Sequence, residues 1–202
     1  MFRFKVPDIL PSLFPQLLWR VNTQQPDIYL TFDDGPHPYI TDWVLQTLQI
    51  YNAKATFFCV GENVERFPET YANILAAGHS TGNHTQNHLK GWTTPTDRYI
   101  TNINECAALV KSRLFRPPYG RITPAQINVL KKDYTLVMWD ILTRDYEKNL
   151  DAEKALKTIF RKIRPGSLVV FHDSEKSEKN LMLMLPQLLE HFSAKGYSFN
   201  CL

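Results

Sequence analysis

A chain of 202 residues with 44% hydrophobic and 21% charged content has the make-up of one ordinary globular domain with a full core. Its net charge of +3 is small and dispersed, with no basic stripe or arginine-rich run, which excludes nucleic acid as the expected partner. Cys59, Cys106 and Cys201 are odd in number and widely spaced, so no disulfide framework follows and a reducing compartment is compatible.

At the N-terminus, Arg3 and Lys5 precede an apolar segment from Ile9 to Trp19. Pro7, Pro11 and Pro15 break it, Asp8 enters it, and no small-residue cleavage site follows, so it does not read as a signal peptide. No stretch reaches the ~20 apolar residues that span a bilayer. Residues 1–26 are expected to be an extension packed on the domain formed by residues 27–202. A cytoplasmic location is expected, with peripheral membrane contact through Leu13, Phe14, Leu17, Leu18 and Trp19 as the alternative.

From Asp27 onward short apolar runs alternate with helical patterns. Strands are predicted at 28–33, 55–60, 79–82, 113–116, 135–139, 167–171 and 197–200, and helices near 41–52, 68–77, 96–112, 124–132, 151–163 and 180–195. Thr123-Pro124-Ala125-Gln126 supplies an N-cap, a proline at the first helical position and a capping-box glutamine. Asp151 caps a segment whose Ala152, Ala155, Leu156, Ile159, Phe160 and Ile163 recur at helical spacing, and Pro165-Gly166 stops it. Strands separated by single helices imply parallel pairing with right-handed crossovers. About seven strands are too few for an eight-fold barrel, so the expected fold is α/β, a distorted or incomplete (β/α) barrel in one domain. An open doubly wound sheet is the alternative, but it lacks a glycine-rich phosphate loop.

In either architecture chemistry belongs at the carboxyl ends of the strands. The first predicted strand ends on Asp33-Asp34-Gly35-Pro36. Side chains alternate along a strand, so adjacent carboxylates diverge, one free to hold a metal and the other to handle a proton. A phosphatase of the haloacid-dehalogenase kind would need a second acid two residues after its nucleophile, and that place is Gly35. After the third strand, His84 and His88 are four apart, a spacing at which two imidazoles can share a metal. The glutamate base of a zincin is missing between them, so a base must come from elsewhere, and Asp33 is free to supply it. Two prolines after Arg116 fix where that side chain and the Tyr119 amide point. Trp139-Asp140 and Asp145-Tyr146 follow the fifth strand, and the sixth ends on His172.

These five segments, in this order, resemble the NodB-type polysaccharide deacetylases, carbohydrate esterase family four. The resemblance covers about residues 27–200 and rests on Thr31-Phe32-Asp33-Asp34-Gly35-Pro36, His84-x-x-x-His88 and Arg116-Pro117-Pro118-Tyr119. It implies a divalent metal held by Asp34, His84 and His88, with Zn2+ the expected ion and Co2+ or another divalent ion the alternative. It implies Asp33 as general base, Arg116 as the residue that orients it, and the Tyr119 backbone N–H as oxyanion donor. His172 would be the general acid that protonates the departing amine, and Asp145 its partner. Tyr146 stands where many relatives carry tryptophan, and Val170 where they often place leucine. Both would line the substrate groove, and Trp92 is a further candidate for sugar stacking or for buried packing.

The resemblance therefore implies a metal-dependent hydrolase that removes N-acetyl groups from amino-sugar glycans of chitooligosaccharide or peptidoglycan type, acting as a monomer. An O-acetyl esterase on xylan-like or lipid-linked substrates would use the same site. A silent glycan-binding protein is the reading from another class, and a complete set of base, ligands and acid weighs against it.

Overall fold

The computed structural model describes residues 4–202. Arg3 and the two residues before it, part of the expected N-terminal extension, lie outside the described residues. Among the described residues eight α-helices and eight strands follow in chain order: α1 (Ile9–Leu13), β1 (Asp27–Asp33), α2 (Ile40–Ile50), β2 (Ala55–Cys59), α3 (Gly61–Arg66), α4 (Pro68–Ala76), β3 (Ser80–Asn83), α5 (Thr96–Leu109), β4 (Leu114–Phe115), α6 (Pro124–Leu130), β5 (Thr135–Leu136), β6 (Ile141–Leu142), α7 (Ala152–Phe160), β7 (Leu168–His172), α8 (Glu178–Ser193) and β8 (Ser198–Phe199).

All strands pair in parallel in the order β5-β4-β3-β2-β1-β7-β6, with β8 beside β1. The sheet curls because its outer strands are almost consecutive in the chain. Leu136 ends β5 on one edge and Ile141 begins β6 on the other, and five residues of chain reach at most ~18 Å. This is the incomplete (β/α) barrel in a single domain that the sequence predicts. Backbone from the N-terminal segment covers the edges of the gap: Leu18 N–H donates to Leu136 O at 2.8 Å, and Leu142 N–H donates to Phe4 O at 2.9 Å. Edge strands thereby lose their unpaired groups.

Leu30 and Phe32 face the helices and join a core built with Val44, Leu156, Leu185 and Leu188 of α2, α7 and α8. A second core joins Leu17 and Trp19 to Tyr99, Ile103, Ile127 and Leu130 of α5 and α6. Leu17 and Trp19 are thus core residues, and Leu18 packs beside Phe58 and Val137, so these three do not form the membrane-facing patch that the alternative reading required. Leu13 and Phe14 remain exposed. Among the described residues no helix is long and apolar enough to cross a membrane.

The Thr123–Gln126 capping box and the Asp151 cap form as the sequence predicts. Of the predicted strand at 135–139 only Thr135–Leu136 forms, as β5; the chain then leaves that sheet edge and joins the other at Ile141 as β6, a strand the sequence reading did not predict. That change relocates Asp140, which the sequence reading put at a carboxyl edge. It precedes β6 and is buried, accepting a hydrogen bond from Ser167 Oγ at 2.7 Å just before β7.

Candidate active site

Parallel register brings the strand ends level. Asp33 lies opposite Phe58 of β2 and His172 of β7, while Cys59 faces Asn83 and Asn83 faces Phe115. The segments that follow these ends therefore converge on one mouth of the barrel. A cavity of about 370 Å3 opens there, lined by Asp33, Asp34, His84, His88, Val170 and His172, with Tyr119, Tyr146, Trp139 and Leu142 among the rest.

Asp33 is held from behind. Arg116 is fully buried and reaches across the barrel, its Nη1 donating to Asp33 Oδ1 and to Thr31 Oγ1, both at 2.7 Å. Nη2 donates to Met138 O at 2.8 Å, and the guanidinium lies 4.1 Å from the Phe58 ring centre. Burial lowers the Arg116 pKa and the Asp33 charge opposes that shift. An arginine stays protonated throughout, so this is a buried ion pair with its donors satisfied.

Asp34 turns away from its neighbour because its φ is 80°, in the left-handed region that aspartate tolerates better than most residues. The loop is pinned around it. Asn63 Nδ2 donates to Asp34 O at 2.7 Å, and Gly35 N–H donates to the buried Asp173 Oδ1 at 3.1 Å. Gly35 must lack a side chain here, since a Cβ would stand 2.1 Å from Asp173 Oδ2. The Gly35–Pro36 peptide is cis.

Asp34 Oδ1 lies 3.1 Å from His88 Nε2 and 3.7 Å from His84 Nε2, and one donor atom from each of the three residues falls within 4.8 Å of the others. The histidines meet through a loop with positive φ at Thr85 and His88. Asn83 Oδ1 accepts from Thr85 N–H at 2.8 Å and fixes that loop. His84 Nδ1 lies 2.7 Å from Arg116 O, and a carbonyl only accepts, so Nδ1 carries the proton and the Nε2 lone pair faces Asp34. Burial lowers the His84 pKa to about 4, with His88 adding to the effect, so the imidazole is neutral. A neutral imidazole locked by a carbonyl is a metal ligand's arrangement, and the two nitrogens and one oxygen fit a divalent cation. Burial pushes the Asp34 carboxyl up, but the His88 hydrogen bond and the positive charge of His172 outweigh it and hold the group ionised.

His172 lines the cavity from the end of β7, beside Asp33. Its Nδ1 lies 2.7 Å from Asp145 Oδ1, and its backbone N–H donates to Asp145 Oδ2 at 2.8 Å. Asp145 is fully buried, and Asn180 Nδ2 anchors its carbonyl at 2.7 Å. Burial lowers the His172 pKa, yet the Asp145 charge and hydrogen bond prevail, helped by Asp34 and Asp33, and raise it to about 9. The ring is thus an imidazolium at neutral pH with Nε2 left to donate. The Tyr146 ring stands edge-on to it at 4.9 Å.

Tyr119 adopts φ 61° in the turn from Pro118 to Gly120, is 55% exposed, and tilts against His88 at 4.6 Å between ring centres. Val170 lines the cavity floor. Arg116 and Asp145 sit behind the cavity, each touching it through one partner. Trp92 is not among the residues lining the cavity: it is 64% exposed, donates its indole N–H to Ile122 O and carries Arg121 over its ring. The sequence reading did not assign Trp139, Leu142, Lys176 or Asp173. Trp139 was visible as an aromatic beside a motif, whereas Leu142 was hidden by the single-strand reading of 135–139.

The family model described as polysaccharide deacetylase matches residues 20–137. A peptidoglycan-N-acetylglucosamine deacetylase of Bacillus cereus is 32% identical over 189 residues, 90% of this chain and 88% of that protein. A chitooligosaccharide deacetylase of Azorhizobium caulinodans is 34% identical over 162 residues, 76% of this chain and 77% of that protein. The crystal structure of a peptidoglycan N-acetylglucosamine deacetylase bound to 4-naphthalen-1-yl-N-oxidanyl-benzamide superposes with a TM-score of 0.87 at 28% identity, covering 95% of this chain and 94% of that one. Matching motif order, barrel and strand-end cavity together, the chain belongs to the polysaccharide deacetylase family, whose members are generally metal-dependent.

Proposed function

We propose that the protein is a metal-dependent N-deacetylase of amino-sugar glycans, yielding acetate and a free amine. The observation that carries this reading is the pairing of a carboxylate and an imidazolium on adjacent strand ends, Asp33 and His172, beside the Asp34, His84 and His88 donor set. Support for the substrate class comes from relatives named for peptidoglycan and chitooligosaccharide deacetylation.

In this proposal Asp34, His84 and His88 hold the cation, with Zn2+ the expected ion for a nitrogen-rich set. When bound, the ion polarises the acetyl carbonyl and acidifies water. Asp33 takes the proton of the water that attacks the carbonyl carbon, and Arg116 fixes its carboxylate in one orientation. The Tyr119 N–H hydrogen-bonds the carbonyl oxygen as charge develops on it, an interaction of about 3 kcal/mol in comparable sites. His172 then gives its Nε2 proton to the amine nitrogen as the C–N bond breaks, and Asp145 keeps it protonated until then. Tyr146, Val170 and Trp92 are assigned to substrate contact, with Trp92 placed at most on an outer part of the groove.

Residues 1–26 are assigned to an extension of the catalytic domain 27–202, and the protein to a monomer in the cytoplasm. The free Cys59, Cys106 and Cys201 support a reducing compartment. The decisive assay is acetate release from N-acetylglucosamine oligomers and peptidoglycan fragments by zinc-loaded protein. Release is expected, and its absence across both sets removes the proposal.

A further inference from the structure

Two unlike grooves adjoin the active-site cavity through different lining residues. One, of about 420 Å3, shares Asp34, His88 and Lys176 with the cavity and is lined by Glu62, Asn63, Arg66, Asn87 and Glu175, among others. It is dense in hydrogen-bonding and charged groups. The other, of about 500 Å3, shares Trp139, Leu142 and Tyr146 with the cavity and continues over Phe4, Val6 and Leu10 to Ile9 at its mouth. Among the described residues no Asp, Glu, Asn, Gln, Ser or Thr lines it. Its two charged side chains already have partners: Lys5 Nζ is 2.9 Å from Asp8 Oδ1, and Arg144 Nε donates to Glu147 Oε1 at 2.7 Å.

A uniform polysaccharide presents the same hydroxyls and amides on both sides of the reacting unit. A groove built for one needs comparable polar partners in both directions, because sugar hydroxyls left without partners lose the hydrogen bonds they had in water. This molecule offers them in one direction only. We propose that the second groove is a binding site for a hydrocarbon chain carried by the substrate, so that the physiological substrate is an amphipathic amino sugar. The apolar surface goes on past the groove: Ile9 is 64% and Leu13 61% exposed.

The geometry also says which end of the substrate carries the chain. The groove begins at Tyr146, whose ring stands on His172, and His172 faces the amine side of the bond to be cleaved. The chain therefore extends from the sugar and not from the acyl group. This last step, and the amino-sugar identity of the substrate, rest on the deacetylase reading; the hydrocarbon groove does not.

The test uses the wild-type chain and glycosides that lack a scissile bond: methyl and octyl 2-amino-2-deoxy-glucopyranosides, the latter below its micelle concentration. Binding is measured by calorimetry. The octyl glycoside is expected to bind at least roughly tenfold tighter, since each methylene buried in full is worth several-fold in affinity. Its heat-capacity change on binding should be the more negative. Ile9→Glu should bring the octyl-to-methyl ratio towards one with the thermal midpoint unchanged, whereas Leu75→Glu, on an exposed face elsewhere, should leave the ratio as in wild type. Equal affinity of the two glycosides for wild type overturns the proposal, as does an octyl advantage that survives Ile9→Glu. Because these ligands are never turned over, a positive result alongside absent acetate release keeps the groove and removes the deacetylase reading, and the reverse result does the opposite.

Discussion

Asp33 and His172 are register partners on the adjacent parallel strands β1 and β7, so sheet geometry alone places a carboxylate and an imidazolium at the same height on one cavity wall. Each is held by a buried residue of opposite charge, Arg116 at 2.7 Å and Asp145 at 2.7 Å. In the proposed mechanism the two ion pairs set the direction of proton flow, with Asp33 the acceptor on one strand end and His172 the donor on the next.

Asp33→Asn separates metal binding from proton transfer. Asp33 is not among the three clustered donor residues, so the variant should bind zinc with unchanged stoichiometry. Turnover should fall by about 10²–10⁴, the range for losing a general base. The buried Arg116 also loses its counter-charge, a change that costs up to about 3–5 kcal/mol when such a pair is broken outright. Metal content, acetate release and thermal midpoint measured together check this; equal activity in wild type and variant removes Asp33 from the mechanism.

A cation held by Asp34, His84 and His88 should stabilise the fold, since it binds the native chain through residues far apart in sequence. At a thousandfold excess over Kd the gain is about 4 kcal/mol. Zinc should raise the thermal midpoint and a chelator should reverse the rise, while Asp34→Ala or His88→Ala should abolish it. A midpoint in Asp34→Ala that still climbs with zinc would move the metal site elsewhere.

His172 gives a pH dependence with a definite sign. Its folded-state pKa, about 9, stands above its unfolded value of 6.5. A raised pKa contributes stability that is fully present below the unfolded value and is lost as pH rises through the folded one. The metal-free chain should therefore lose stability between about pH 6.5 and 9 relative to Asp145→Asn, whose His172 lacks the opposing charge. In the zinc enzyme, Asp145→Asn should move the alkaline limb of the rate profile to lower pH. Thermal midpoints across that window and a pH–rate series are the two readouts, and parallel curves for wild type and variant would contradict the assignment.

The barrel and the strand-end positions of these groups were legible because they depend on local pattern: apolar runs, caps and the acids and histidines that end the runs. What stayed hidden depends on the closure of the sheet. Residues 135–139 read as one strand because Val137 and Met138 are apolar, yet these two cross the gap between the edge strand ending at Leu136 and the one beginning at Ile141, and only tertiary pairing reveals it. Asp140 and Leu142 were misplaced or missed for that reason. The meeting of His84 and His88 was foreseen from spacing, but the positive φ at Thr85 and His88 depends on Asn83 and Asn102 holding the loop, through Thr85 N–H and Gln86 N–H, and spacing cannot show it.

Asp173 follows His172 directly and turns inward, where it holds the turn that follows Asp33 and Asp34. Oδ1 accepts from Gly35 N–H at 3.1 Å, and Oδ2 meets Thr41 Oγ1 at 2.5 Å at the start of α2. One carboxyl thus ties the end of β7, the turn after β1 and the first helix of the barrel together. Asp173→Ala should leave the Gly35 N–H and the Thr41 hydroxyl unpaired, at about 1–3 kcal/mol each if both stay buried. Since Gly35 adjoins Asp34, the loop should relax and weaken metal affinity and kcat together. Asp173→Asn keeps an acceptor for Gly35 and should recover most of the metal affinity. Gly35→Ala should fail even with Asp173 intact, because its methyl has no space beside the carboxyl. Zinc affinity by competitive titration, with kcat alongside, discriminates this positioning role from simple packing: an Asp173→Ala variant that loses thermal stability but keeps wild-type zinc affinity would reduce Asp173 to a core residue.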